Sequence, residues 1–505
     1  MIITGEGVYI AAIYDFRDKQ DYICRTNNMR EIMGASRLLE SVYHNVLKDY
    51  AAVFSDTKNA FTVEGFVKAN EQGAVLYQDG GRLALLFKNE ESFKAFNRHL
   101  SWRLIDNAPG LTPICGSAEI DVNGKFREEL RKVLADLGKY KRMAPPLLND
   151  TALPITQIDR KTSMPVIYKA MNFGVLESLS AESAAKREMY RASIKPDESA
   201  DGMFSGKIDD LAEEKDTEGF LAIIYVDGNG MGELAKARIP ESESFETGVN
   251  LQREFTRKID DAFVDGPIKA IKDYLKERQE KFPDKKFAMR RIIGGGDEIT
   301  IVCSARHALK IARVYFDSLK KSNREQNQNY SACMGIAVFR TPATQKRVAG
   351  TTVLEGSSSP GGAHAPFAAV YEIAGQCCEN GKKRMKKDGV TNACYIDAYF
   401  CNDAITGGME DKRNQVRTCM PYSVSEGLVR FETLGKELMN VKRGNVKALR
   451  DAAFRSQAAF EAELMRVKSS CMSLAINEND RALLCDVCTF YDLWFAGEPP
   501  HGGSG

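Results

Sequence analysis

Three carboxylates and a set of glycines are the residues of this chain best suited to do chemistry together. Asp227 closes the apolar run "FLAIIYVD" and is followed at once by "GNGMG"; Asp297 and Glu298 follow three glycines in "RIIGGGDEITIV". Crowded carboxylates repel, and a bare cluster raises its own pKa values. A divalent cation relieves that repulsion. Mg²⁺ or Mn²⁺ takes oxygen ligands, usually one or two carboxylates with phosphates and water, and a pair of such ions stabilises both the attacking and the leaving oxygen of a phosphoryl transfer. The glycines suit the same chemistry. Gly228, Asn229, Gly230, Met231 and Gly232 form a loop with few side chains, so its backbone N–H groups can approach a triphosphate as an anion nest. Gly294, Gly295 and Gly296 permit positive φ in the turn and leave room for a base or sugar. Lys382 and Lys383, far downstream, supply point charges for phosphate. A Gly-Gly-Asp hairpin by itself is ordinary turn chemistry. The ordered combination of acid, glycine loop, acidic hairpin and lysine pair points to metal-dependent nucleotide chemistry.

Such a site needs a sheet that brings Asp227 beside residues seventy positions away. The second half of the chain supplies the pattern. "FLAIIYVD" reads as a strand, and a long helical stretch follows. "FAMRRIIGG" and "DEITIVCS" read as a hairpin, "ARHALKIARVYFDSLKK" as a helix and "YSACMGIAVFR" as a strand. The helix "FAAVYEIAGQCCENGKKRMKK" and the strand "ACYIDAY" close the block. The first block has the same order, from the strand "GVYIAAIYDF" through the hairpin "AVLYQDGGRLALLF" to the strand "PICGSAEIDV". The fold class expected is α+β: two β-α-β-β-α-β, ferredoxin-like units with a helical connector and a C-terminal helical bundle. The boundaries expected are 1–123 for the first unit, 124–218 for the connector, 219–401 for the second unit, 402–496 for the helical domain and 497–505 for a tail. In the first block Arg82 and Leu83 stand where the acids should be, and Asp15 alone ends its first strand.

The totals agree with an ordinary globular chain. A length of 505 residues suggests roughly three or four domains. Net charge is +1, so any nucleic-acid contact must come from local patches. No apolar run reaches the ~18 residues of a membrane span, and the N-terminus lacks the basic region of a signal peptide. A cytoplasmic location without membrane contact is therefore expected. The twelve cysteines read mostly as buried thiols.

"YVDGNGMGEL", "IIGGGDEITIV" and "AGQCCENGKKRMK" resemble the catalytic Palm of the large, polymerase-like subunit of type III CRISPR effector complexes, a Palm related to the GGDEF domain of diguanylate cyclases. "MREIMGASRLLESV" is similar to an early helix of that family's first, non-catalytic Palm. "LPITQIDRKTSMPVIYKAMNFGVLESLSAESAAKREM" resembles the linker between its Palms, so the likeness covers most of the chain. The resemblance implies an enzyme that joins ATP into cyclic oligoadenylate messengers in antiviral defence. It places Asp227, Asp297 and Glu298 on the metal-binding acids, with Gly228 as a backbone carbonyl ligand. Gly295 and Gly296 fall on the paired glycines, and Lys382 on a lysine preceded here by Gly381 rather than alanine. It also implies guide RNA and other effector subunits as partners. Two departures stand out. The family hairpin usually ends in two aspartates, where this chain has Glu298. The five histidines form no His-Asp pair, so a compact member without the nuclease domain, and without DNase activity, is expected.

Two other functions compete. A stand-alone diguanylate cyclase, working as a homodimer, would use the same acids; against it, Ile299 replaces the phenylalanine of that motif. A non-enzymatic RNA-guided scaffold would keep the fold for its shape. Smaller features carry less. "CDVC", Cys485 to Cys488, has zinc-knuckle spacing, with Cys471 as a third thiol and no fourth ligand, so no zinc is expected. No cysteine falls between Cys115 and Cys303 to bind zinc in the linker. "KYKRM" and "RMKK" read as solvated charged faces before they read as RNA contacts. The loop of residues 350–366 is expected near the nucleotide.

Overall fold

The strand "VYIAAIYDFR" is apolar on both faces, which a strand needs only when both faces of its sheet are covered. The computed structural model describes residues 7–26, 28–54, 57, 59–79, 81–143, 155–172, 175–193, 220–282, 287, 289–340, 346–348, 351–353, 367–401, 418–470 and 474–495. In it β1 (Val8–Arg17) lies between β3 (Arg82–Phe87) and β4 (Thr112–Asp121), antiparallel to both, and β2 (Gly73–Asp79) pairs with β3. A two-residue strand, Val53–Phe54, completes the sheet beside β2. Tyr14 and Phe16 reach helices on one face: Tyr14 meets Phe96 of α2 (Glu90–Asn107), and Phe16 stacks on Tyr43 of α1 (Met29–Lys48). Ala11 and Ile13 alternate to the other face. There they share a core with Phe126, Val133 and Leu137 of α3 (Phe126–Met143).

The connector is not wholly helical. After α3 it forms a hairpin, β5 (Val166–Asn172) with β6 (Val175–Ser180), before α4 (Ala181–Ser193). The β-branched and aromatic start of "VIYKAMN" suits a strand. Helix α4 crosses α1 closely at Gly34, where a Cβ would stand 1.8 Å from the Lys186 carbonyl oxygen. A buried charge pair joins the two helices, Arg187 Nε donating to Glu31 Oε1 at 2.8 Å, and within α4 the fully buried Lys186 donates to Glu182 Oε1 at 2.6 Å.

The second sheet is built around β7 (Phe220–Gly228). It lies between β9 (Glu298–Ser304) and β10 (Ala332–Arg340), antiparallel to both. β8 (Met289–Gly295) flanks β9; β11 (Tyr395–Cys401) runs parallel to β10, and the short β12 (Tyr422–Ser423) closes the edge. Two helices follow β7: α5 (Met231–Arg238) and α6 (Phe245–Asp260). Further on come α7 (Gly266–Lys281), α8 (Ala305–Gln326) and α9 (Phe367–Lys387). Four helices end the described chain: α10 (Gly427–Met439), α11 (Arg443–Arg455), α12 (Gln457–Ser470) and α13 (Arg481–Trp494). A bidentate pair, Arg313 to Glu432, and a hydrogen bond from Trp494 Nε1 to the Ala305 carbonyl tie them to α8.

By contact the chain divides into two units, Met1–Ala200 with Gly230–Val264 and Gly295–Asp297, and Asp201–Asn229 with Asp265–Gly294 and Glu298–Gly505. Helix α6 thus groups with the first sheet although it follows β7 in sequence. Phe245 and Val249 join the Phe126 core, and Arg253 donates to the Val75 and Leu76 carbonyls at 2.6 Å each. Among the described residues no helix is long and apolar enough to cross a membrane. Most of the 350–366 loop, Cys471 and the 497–505 tail lie outside the described residues.

Candidate functional site

Antiparallel pairing with the central strand sets the site. Glu298, the first residue of β9, stands directly opposite Asp227, and Cys333 of β10 stands opposite Asp227 on the other side. Side chains in one register row share a face of the sheet. Asp227 and Glu298 therefore project together, two carboxylates in adjacent strands, both half-buried. Like charges so placed destabilise a sheet. Asp297 occupies the turn position just before Glu298 and is also half-buried.

The compensating charge comes from α9. Tyr371, Ala374, Cys378 and Lys382 recur at three- and four-residue spacing and so line one helix face. That face lies against the sheet at Gly335, where a Cβ would come within 1.9 Å of the Ala374 carbonyl oxygen. The close approach carries Lys382 to the carboxylate row, where its Nζ donates to Asp227 Oδ2 at 2.6 Å. Burial opposes charge on Lys382, but the hydrogen bond and negative charge of Asp227 prevail and raise its pKa above the ordinary lysine value. Lys383, next along the helix, is exposed. Beneath the pair, burial pushes the Cys333 thiol up to about 12, and burial with the charge of Asp227 raises the Cys378 thiol further. Both thiols are inert neighbours at neutral pH. Tyr371 Oη donates to Glu298 Oε1 at 3.4 Å, and its ring meets Tyr225 edge-on at 5.6 Å.

The glycine-rich segments divide by role. Gly228 ends β7 opposite Ala332. Asn229 is buried; its N–H donates to the Ser331 carbonyl at 2.9 Å, and its Nδ2 donates to Ser331 Oγ and the Ala393 carbonyl at 3.1 and 3.2 Å. It fastens the end of β7 to the start of β10, while its Oδ1 is buried without a partner. Gly230 has φ 67° and caps α5, which begins at the half-buried Met231. Gly232 and Gly295 have no steric need to be glycine: a Cβ at either would meet nothing within 4 Å. Gly296 turns with φ 63°, and its N–H donates to Asp260 Oδ1 at 2.8 Å. Asp260 was missed in the sequence because it closes a helix 36 positions upstream, and no local pattern marks its partner.

The donor set fits a hard divalent ion. Two facing carboxylates and a nearby strand-end carbonyl are oxygen donors of the kind that Mg²⁺ and Mn²⁺ accept. Among the described residues no group of three or more His, Cys, Asp or Glu side chains is gathered to hold a metal. The chain thus presents a partial oxygen set rather than a complete protein cage, and Mg²⁺ is ordinarily held by one or two carboxylates together with substrate phosphates. Cys485 and Cys488 are buried along α13, and burial raises the Cys488 thiol to about 12.

The first sheet offers a contrast at the equivalent place. Asp15, near the end of β1, is buried and meets three cations: Lys19 Nζ at 2.7 Å, Lys141 Nζ at 2.7 Å and Arg82 Nε at 3.1 Å. Burial works against the carboxylate charge, yet these cations lower its pKa to about 2. Arg82 stands one residue beyond the Tyr14–Leu83 pair, so the hairpin delivers a cation to the first strand here, where Glu298 brings an acid to Asp227.

Mixed α+β architecture with several sheets and helices is the class these features define. The same fold occurs in chains of the Csm1–Csm4 cassette. The apo cassette matches at 12% identity with a TM-score of 0.53, over 97% of this chain and 70% of that one. The cassette in complex with cA4 matches at 10% identity and 0.51, over 97% and 70%. The cassette in complex with pppApApA matches at 11% and 0.51, over 96% and 70%. No protein-family model and no curated protein sequence matches the chain.

Proposed function

We propose that the chain is a metal-dependent nucleotidyl cyclase that makes cyclic oligoadenylates from ATP, as the large subunit of a type III CRISPR effector. In this reading the two sheets are Palm domains, the first degenerate and the second catalytic. One observation carries it: Asp227 faces Glu298 across two strands, with Lys382 delivered onto the pair by α9. The likeness in fold to Csm1–Csm4 structures solved with cA4 and pppApApA supports it.

Asp227 and Glu298, with the Gly228 carbonyl, would hold the ion. A bound Mg²⁺ or Mn²⁺ supplies charge stabilisation at the transferring phosphoryl group. The chain's own residues do the rest. Lys382 offers a point charge to the phosphates. Gly230 and Gly232 leave the first turn of α5 uncovered, so its N–H groups can meet phosphate oxygens. Glu298, one methylene longer than aspartate and oriented by Tyr371, accepts the proton of a ribose hydroxyl. That hydroxyl oxygen forms its new bond to the α-phosphorus of a second ATP, the bond to the bridging oxygen breaks, and pyrophosphate leaves. Repetition with final ring closure gives a cyclic product.

The test is incubation with ATP or GTP and Mn²⁺, followed by product mass. Cyclic oligoadenylates from ATP are expected, and the double variant Asp297→Ala, Glu298→Ala should lower their yield by at least about a thousandfold while keeping the fold. Unchanged synthesis by that variant sinks the assignment, and product from GTP alone moves it to a diguanylate cyclase.

A further inference from the structure

Lys382 is bonded to the wrong partner for a residue whose only task is to bind phosphate. Its Nζ lies 2.6 Å from Asp227 Oδ2, on one of the carboxylates that the proposed metal ion requires. Both side chains are largely shielded, with 22% and 32% of their surfaces exposed. The pair also eases a local repulsion, because Asp227 and Glu298 stand opposite each other in adjacent antiparallel strands. Helix α9 cannot easily carry the lysine elsewhere, because its backbone is fixed against β10 at Gly335. The four methylenes between Nζ and Cα give the side chain the reach to change partners while the helix backbone stays in place.

We propose that Lys382 is an internal counter-ion that occupies Asp227 until a nucleotide draws it away, so that divalent metal binds with the nucleotide and only weakly without it. This rests on reading the strand edge as a metal–nucleotide site. The physical sequence is an exchange of partners. A divalent ion arriving alone must displace or tolerate an ammonium group a few ångströms off, and that repulsion weakens its binding. An arriving triphosphate offers Lys382 a second anion. Once the ammonium moves there, Asp227 is released to the metal, and each ligand strengthens the other's binding by the same factor. The device guards the two carboxylates from stray divalent ions and ties metal capture to the presence of substrate.

The test measures Mn²⁺ binding by calorimetry on the full chain, first alone and then with a non-hydrolysable ATP analogue. Wild-type protein should bind Mn²⁺ alone weakly and at least about tenfold more tightly with the analogue present. Lys382→Met should bind Mn²⁺ alone at least about tenfold more tightly than wild type and lose most of the gain from the analogue. Lys382→Arg, which keeps the charge, should follow wild type. If Lys382→Met binds Mn²⁺ alone no better than wild type, the counter-ion role is wrong. A different result overturns the underlying reading as well: Mn²⁺ binding that is absent with the analogue, or indifferent to Asp227→Asn. Should the methionine variant fail to fold, a crystal structure of the unaltered chain with Mg²⁺ and the analogue decides. Lys382 Nζ is expected on a phosphate oxygen, and Nζ still bonded to Asp227 refutes the exchange.

Discussion

Asp15 and Asp227 each stand near the end of an inner strand of a sheet, paired on both sides, and what surrounds them differs. Asp227 stands opposite Glu298 and accepts from Lys382, whereas Asp15 is held by Lys19, Arg82 and Lys141. The first sets two carboxylates face to face in adjacent strands, and the second gathers three cations on one acid. A stability prediction follows for the second. The pKa of Asp15 is lowered from 3.8 to about 2, so its ionised form favours the folded state. That contribution is fully present above about pH 4 and is lost as pH falls through about 2. Asp15→Asn leaves three cations without their acid and should cost about 3 kcal/mol at pH 7. Urea unfolding of both proteins across pH 7 to 2 checks this. The gap between them should narrow toward low pH, and a gap that stays constant would show that the carboxylate charge is not what matters.

Elements reach their places through a few close approaches, and α9 depends on one. Gly335 lets the helix backbone touch β10; an alanine there would put its Cβ 1.9 Å from the Ala374 carbonyl and force the helix outward, taking Lys382 with it. Gly335→Ala should cost about 1–3 kcal/mol in denaturant unfolding and lower the yield of the proposed cyclase reaction at least about tenfold. Gly381→Ala is the matched control. Its Cβ would meet the Cys333 side chain at 3.3–3.4 Å, so a loss below about 1 kcal/mol with activity kept is expected. Equal damage from both would refute α9 as the positioning element. These approaches also divide what the sequence could tell from what it could not. The strand "FLAIIYVD", the hairpin and the lysine helix were legible because apolar periodicity reports which face is buried. Periodicity does not report against what. Helix α6 carries the same signal whether it covers the second sheet or, as found, joins the core of the first. The hairpin β5–β6 was lost in the connector because its strands expose apolar side chains such as Ile167, Met171 and Leu176, which blurs the alternation. In the glycine loop, Asn229 turns its N–H and amide to Ser331 and Ala393, hydrogen bonds that form only when three distant segments meet and that no local pattern reports.

At the scale of the whole molecule, charge constrains how RNA would be met. The 505 residues carry a net charge of +1, with 70 basic side chains set against 69 acidic ones. Many of the basic residues are already engaged: Lys141, from the "KYKRM" stretch once open to an RNA role, is bonded to Asp15, and Arg384, from "RMKK", to Asp388. Affinity for a phosphate backbone comes chiefly from cations that release bound counterions, and a chain whose acids match its cations in number gains little from its overall charge. If the protein serves an RNA-guided effector, its partner subunits must therefore supply most of the grip on RNA. The isolated chain should bind a single-stranded RNA more weakly than about 10⁻⁶ M at physiological salt, and a complex purified from the native host should retain RNA together with other subunits. Fluorescence anisotropy at several salt concentrations measures the first, and sequencing of co-purified RNA the second. Nanomolar binding by the chain alone, falling steeply with salt, would locate a basic surface that the charge balance argues against and would make this subunit itself the RNA-holding part.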